Sequence, residues 1–157
     1  MNDCKYGYRV WDSVLDIDLL RSSMTPGKDA DKGKHEFTYS FLVHGSDYVN
    51  SINAEGYALN DPPKPFCGDV PEALYNNPIV DCDAENVIID WVKQAEDGNG
   101  IIIRAYEFTG KNAKTKFTVN SIFGLKKCCI CDMLENIINE SEEIEFRPFE
   151  VHTIRLV

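Results

Sequence analysis

Apolar and polar residues alternate along much of the chain, the signature of half-buried strands, because successive side chains point to opposite faces of a strand. In residues 14–20, Leu15, Ile17 and Leu19 fall on one face and Asp16 and Asp18 on the other, which predicts a strand with one wet side. Residues 36–43 put Phe37, Tyr39, Phe41 and Val43 on a second apolar face. Residues 87–92 and 101–108 are more continuously apolar, as expected of strands covered on both sides. Between them Asp97-Gly98-Asn99-Gly100 is a turn signal, so the two are expected to form a hairpin. Further strands are expected at 116–119, 127–134 and 144–156, the last interrupted by Pro148, which has no N–H to give to a ladder.

One segment reads as a helix. Residues 48–59 place Val49, Ile52 and Tyr57 toward one side after a Ser46 or Asp47 cap, with Gly56 weakening the pattern. Residues 60–77 carry Pro62, Pro63, Pro65, Gly68 and Pro71 and form a long loop, of the kind that is functional or packs on a partner. Seven or more strands with turn residues between them argue for a mostly β protein, an antiparallel β-sandwich with one short helix. The proline-rich loop is too short a linker to divide the chain, so residues 1–157 are expected to form a single domain.

Composition narrows the partners. The chain has 157 residues, 43% apolar and 27% charged, as for an ordinary globular domain. Sixteen basic against twenty-six acidic residues give a net charge of −10, which repels phosphate backbones and argues against nucleic acid. No apolar run approaches the roughly 18 residues of a membrane span, and the polar first eight residues lack a signal-peptide core, so no membrane partner and a cytoplasmic location are expected. Six cysteines occur without the spacing of a disulfide scaffold, so reduced thiols are expected.

Several residue groups invite chemistry. Cys128, Cys129 and Cys131 crowd three thiols into four positions, but no second CxxC or His pair completes a zinc site, so they read as thiols of one strand. Asp29-Ala30-Asp31-Lys32-Gly33 hints at a calcium loop, yet it lacks the third oxygen ligand and the closing glutamate, so a solvated loop is expected. Cys67 and Ser40 are nucleophiles without a recognisable catalytic context, and His35 and His152 lie in strand patterns, where a histidine is most often structural. Asp16 and Asp18 share a face but look like a solvated one. These patterns alone stop at a β-rich domain.

A set of local motifs goes further. Asn2-Asp3-Cys4-Lys5-Tyr6-Gly7-Tyr8, Leu19-Leu20-Arg21-Ser22, Ala30-Asp31-Lys32-Gly33-Lys34-His35-Glu36-Phe37 and Val43-His44 follow one another in the first part of the chain. Tyr57-Ala58-Leu59-Asn60-Asp61-Pro62, Val92-Lys93-Gln94-Ala95-Glu96-Asp97, Arg104-Ala105-Tyr106-Glu107 and Arg147-Pro148-Phe149-Glu150-Val151 continue the series to the C-terminus. In this order they resemble the C-terminal region of family 38 glycoside hydrolases, α-mannosidases, most closely the bacterial and cytosolic branch. Each motif also has a plain structural explanation; Arg104 and Glu107, for instance, read as paired surface charges flanking a hairpin.

The resemblance implies a galactose-mutarotase-like supersandwich fold and, in the intact enzyme, retaining hydrolysis of α-mannosides. It places the aspartate nucleophile and a zinc ion in an N-terminal catalytic domain whose His-x-Asp ligands have no match at His35, His44 or His152. The chain is therefore expected to hold no catalytic residue and no cofactor. Its expected partners are the catalytic domain of the same enzyme and the α-mannoside substrate, with a second copy of the chain as a further candidate. Because the Asn-Asp-Cys-Lys-Tyr-Gly segment follows directly on Met1, the expectation is an excised fragment or a truncated reading frame, cut inside the β region. Removal of a catalytic domain should expose an apolar patch near the N-terminal segment or the proline-rich loop. The same resemblance singles out Asp3, Lys5 and Tyr6 as residues that meet sugar hydroxyls in the intact enzyme. A free-standing carbohydrate-binding module is the alternative, with Tyr6, Tyr8, Trp11 and Tyr75 as stacking rings; aromatics in a row would favour it.

Overall fold

The computed structural model describes residues 7–46 and 48–157. The chain divides into two compact units, Met1–Phe66 and Cys67–Val157, and the boundary falls within the proline-rich loop.

In the first unit, β1 (Tyr8–Trp11) and β2 (Val14–Ile17) form an antiparallel hairpin in which Tyr8 opposes Ile17 and Trp11 opposes Val14. Asp12 takes the left-handed conformation, φ 47°, that the tight turn demands. Arg9 and Asp16 sit opposite each other and pair at 2.7 Å, so the wet side of β2 is an ion pair rather than bare solvated acid. Strand β1 was not foreseen. Helix α1 (Val49–Asn60) forms where the spacing placed it, but its N-cap is Tyr48, without a capping side chain, instead of Ser46; Asp47 lies outside the described residues. The helix buries none of its residues.

The strand expected at 36–43 does not form. Alternation supplies the faces of a strand but not its hydrogen bonds, and this segment has no partner strand among the described residues. Phe41 and Val43 stay 75% and 81% exposed.

The second unit is built on a five-stranded antiparallel sheet, in the order β4 (Val87–Gln94), β5 (Ile101–Glu107), β11 (Val151–Leu156), β8 (Cys128–Cys131) and β9 (Ile137–Glu140). Two short antiparallel pairs accompany it: β3 (Val80–Cys82) with β7 (Phe117–Val119), and β6 (Ala113–Thr115) with β10 (Ile144–Phe146). The core lies between them. Ile103, Ala105, Ile154, Leu156 and Val87 from the large sheet pack with Val80, Phe117, Ile144 and Phe146 from the small pairs. The described residues are thus mostly β, with an antiparallel sandwich in the second unit and one α-helix in the first.

The strands at 87–92 and 101–108 pair as the expected hairpin. They are not equally covered: Ile102 and Ile103 of β5 are both buried, whereas β4 lies at the sheet edge and leaves Trp91 63% exposed. Residues 144–156 are two strands, each in a different sheet, and the switch occurs at the 147–150 turn that holds Pro148. The short strands β3, β6 and β9 were not read from the sequence, since three or four residues carry too little alternation to stand out.

Glu107, which the sequence suggests is a surface charge, is instead completely buried and holds this switch together. Its Oε1 accepts the Thr109 N–H at 2.8 Å, the Thr109 hydroxyl and Asn86 Nδ2 at 3.0 Å. Its Oε2 accepts the N–H groups of Gly110 at 2.8 Å and Phe149 at 3.0 Å. Burial pushes this carboxyl up, but the hydrogen bonds led by the Thr109 hydroxyl and the Phe149 N–H outweigh it and bring the pKa down from 4.5 to about 2. Arg104, far from pairing with it, faces the other side of the sheet and donates to Thr153 Oγ1 at 3.3 Å.

Gly100 sits at φ 100° with Leu156 O only 2.1 Å from where a Cβ would be, while Gly56 is a helical residue with open space around it. Gly100→Ala should therefore cost about 2 kcal/mol or more in urea unfolding, and Gly56→Ala should stabilise α1 by roughly 0.5–1 kcal/mol; equal effects would contradict the geometry. For Glu107 the pKa is depressed on folding, so its contribution is fully present above 4.5 and lost as pH falls toward about 2. Glu107→Gln should cost about 2 kcal/mol at pH 7, and the gap to wild type should close across that acid window; a gap independent of pH would show that the charge does not matter.

Candidate functional site

Asp3, Lys5 and Tyr6, the residues that the resemblance points to, lie outside the described residues. Of the stacking rings considered for a sugar-binding module, Tyr8 and Trp11 are three apart on β1 and so face opposite sides of the hairpin, and no row forms between them. The Arg9 guanidinium covers the Trp11 ring at 5.0 Å. Tyr75 belongs to the other unit.

The remaining candidates resolve into structure. Asp31 is buried, and its carboxylate accepts the Ser22 N–H at 2.9 Å, so it ties a turn instead of facing solvent or a cation. His35 bonds to the Asp31 carbonyl at 3.0 Å and His44 to the Gly45 carbonyl at 2.9 Å. His152 meets the Glu145 carbonyl at 3.0 Å and packs edge-on against Phe146. Ser40 and Cys67 are exposed. Cys129 and Cys131 share one buried face of β8, while Cys128 points to the core side, where burial pushes its thiol up to about 11. Three thiols split between the two faces of one strand do not converge on a single point, as the ligands of a zinc ion must. Among the described residues no group of three or more His, Cys, Asp or Glu side chains is placed to hold a metal.

Two concave features stand out in the second unit. The first is an apolar groove of about 430 Å³ lined by Ile79, Val92, Ile101, Phe123 and Leu125 beside the 98–100 turn. Val92 opposes the buried Ile103 and so faces inward, yet it remains 41% exposed. The sandwich is open at this end.

The second is a recess of about 450 Å³ on the opposite face of the large sheet, lined by Asp90, Trp91, Lys93, Arg104, Glu135 and Thr153 together with Ile102 and Met133. Trp91 reaches it because of a bulge. The β4–β5 register shifts between Ile89 and Trp91, so Ile89 opposes Ala105 on the core side while Trp91 opposes Arg104 on the outer side. In a regular strand, with no bulge at Asp90, Trp91 would share the face of Ile89 and enter the core.

The far wall of the recess is the 132–136 turn. Asp132 accepts the N–H groups of Leu134 and Asn136 at 2.8 and 2.9 Å, and Glu135 adopts φ 69° within it. From there Glu135 pairs with Lys93 at 2.7 Å and accepts the Glu96 N–H at 2.8 Å. The bond to Glu135, followed by that to Glu96, raises the pKa of Lys93, and the bond from Lys93 lowers that of Glu135. Arg155 clasps Asp97 at 2.6 and 2.7 Å and the Asn99 carbonyl at 3.0 Å, and reaches toward the Glu135 carbonyl at 3.5 Å. The recess is therefore held by interactions among its own groups. In the sequence Ile88-Ile89-Asp90-Trp91 breaks the alternation at the bulge, the one local sign of this recess.

Residues 86–154, which include every residue lining this recess, match the model of the glycosyl hydrolases family 38 C-terminal beta sandwich domain. The chain is 33% identical over its whole length to alpha-mannosidase G of Dictyostelium discoideum and 28% identical over its whole length to alpha-mannosidase 2C1 of Homo sapiens. It is 27% identical, over 99% of its length, to an alpha-mannosidase of Saccharomyces cerevisiae. It spans only 16% of the first two relatives and 17% of the third. The antiparallel sandwich and this match place residues 86–154 among the C-terminal β-sandwich domains of glycosyl hydrolases family 38, and the chain as a whole is similar to α-mannosidases along its full length.

Proposed function

We propose that the chain is the non-catalytic C-terminal β domain of a retaining, zinc-dependent α-mannosidase, where it packs on the catalytic domain of the same enzyme and walls its cleft. The observation that carries this reading is the likeness of the whole chain to a stretch that spans 16% of two α-mannosidases. A retaining glycosidase needs two carboxyl groups about 5–5.5 Å apart, one to act as nucleophile and one to donate and take back a proton. The strongly held carboxylates of this chain are committed elsewhere: Glu107 to backbone N–H groups, Glu135 to Lys93 and Glu150 to Arg147. The acid, the nucleophile and the zinc then belong to the remainder of the enzyme, which acts in the cytoplasm.

The open apolar groove supports a packing role. Val92, Ile79 and Phe123 are 41%, 44% and 39% exposed around a cavity with few polar groups in its wall, a surface suited to burial against another apolar one. In the same reading Lys5 and Tyr6 donate hydrogen bonds to sugar hydroxyls at the edge of the cleft, and Asp3 orients Lys5.

The test uses the longer enzyme. Val92→Asp should leave the fold of the 157-residue chain intact, because the side chain is half exposed there, but should destabilise the longer enzyme and lower its turnover of an aryl α-mannoside. Lys5→Met and Tyr6→Phe should each lower kcat/KM several-fold to about tenfold, the loss of one hydrogen bond worth about 0.5–1.5 kcal/mol. A longer enzyme indifferent to all three substitutions would defeat the proposal.

A further inference from the structure

The recess on the outer face of the large sheet points to a ligand that the packing role does not use. Resting on the α-mannosidase reading above, we propose that the recess formed by Trp91, Arg104, Lys93 and Glu135 is a binding site for a neutral α-mannoside oligosaccharide.

The first ground is the position of Trp91. A bulge turns its ring out of the core phase of β4 and sets it opposite Arg104, leaving it 63% exposed in the middle of a strand. A large apolar ring held in water is costly, and bulges commonly re-aim a side chain toward a site. A pyranose has an apolar face of C–H groups and a rim of hydroxyls, so it covers such a ring while its rim reaches the neighbouring polar groups.

Charge selects a neutral ligand. Asp90 and Glu135 oppose Lys93 and Arg104 in the lining, two anions against two cations. No surplus of either sign remains to attract a phosphate or an acidic peptide. The mixture does offer both acceptors and donors, which is what hydroxyl groups need, since each can donate and accept. Arg104 makes one long bond, 3.3 Å to Thr153, and a guanidinium carries further N–H donors.

The walls are already in place. The Lys93–Glu135 pair, the Asp132 turn and the Arg155 clasp hold the polar groups before any ligand arrives, so binding does not have to order them. The volume of about 450 Å³ is within the usual range of small-molecule sites.

The experiment exploits the presence of two tryptophans in the chain. With Trp11→Phe as background, Trp91 is the sole indole, and titration with α-mannobiose and a longer α-linked mannose oligosaccharide should change its fluorescence saturably, with Kd on the order of millimolar. Trp91→Ala, read by shifts of the sheet amides in NMR, should weaken binding about tenfold or more, and Arg104→Lys several-fold. Both side chains lie outside the core, and unchanged far-UV circular dichroism would certify the fold. Added salt should leave the affinity nearly unchanged, because the ligand carries no charge. The inference is overturned if no saturable response appears, if Trp91→Ala binds as tightly as its parent, or if binding collapses with salt. If saccharide binds as described while Val92→Asp leaves the longer enzyme untouched, this site stands and the packing role falls.

Discussion

The second unit depends on the ladder between β5 and β11. Six residue pairs run from Val151 opposite Tyr106 to Leu156 opposite Ile101, and this register decides which side chains enter the core. A slip of one residue would exchange Ile103 and Ala105 for Ile102 and Arg104 on the inner face. Each end of the ladder is secured by a charged side chain. At one end Glu107 gathers the N–H groups of Thr109 and Gly110 after β5 and of Phe149 before β11. At the other, Arg155 of β11 clasps Asp97 and Asn99 in the turn that leads into β5. The two cap the same pair of strands from opposite faces, so register, turn conformation and core composition are set together.

The consequence reaches both concave features. With β5 fixed, β4 must follow its register on the outer edge, and the bulge at Asp90 then assigns Val92 to the core side and Trp91 to the outer side. The inner side chain finds a groove that the small strand pairs leave open, and the outer one stands at the rim of a polar recess. In the account proposed here the groove meets the rest of an α-mannosidase and the recess meets a saccharide. The edge strand thus serves both faces through a single inserted residue.

The long elements of this architecture could be read in the sequence because each is locally encoded. The β4–β5 hairpin announces itself by two apolar runs around Asp97-Gly98-Asn99-Gly100, and α1 by its spacing of Val49 and Ile52. Residues 36–43 show the limit of such reasoning. Their alternation is as regular as that of any strand, but a strand needs a neighbour to accept its hydrogen bonds, and pairing is a long-range property that alternation does not encode. Glu107 shows the converse. Its acidic character suggests the surface, and only the meeting of three chain segments, with Phe149 lying 42 residues from Glu107 in sequence, supplies the donors that let it be buried. Trp91 was hidden for a related reason, since one bulge reverses the face that simple counting assigns. The family likeness, carried by short motifs in order, was legible where the site geometry was not.

In the proposed function the open groove is covered by the rest of a longer enzyme. Amide hydrogen exchange, compared between the 157-residue chain and the longer enzyme, reads that covering residue by residue. The β5 and β11 amides are expected to be the slowest already in the chain alone and to change little, because their ladders are internal. Added protection is expected in the longer enzyme at Ile79, at Val92 to Gln94 on the free edge of β4, and at Phe123 to Leu125. Identical exchange at those positions in the two proteins would contradict it.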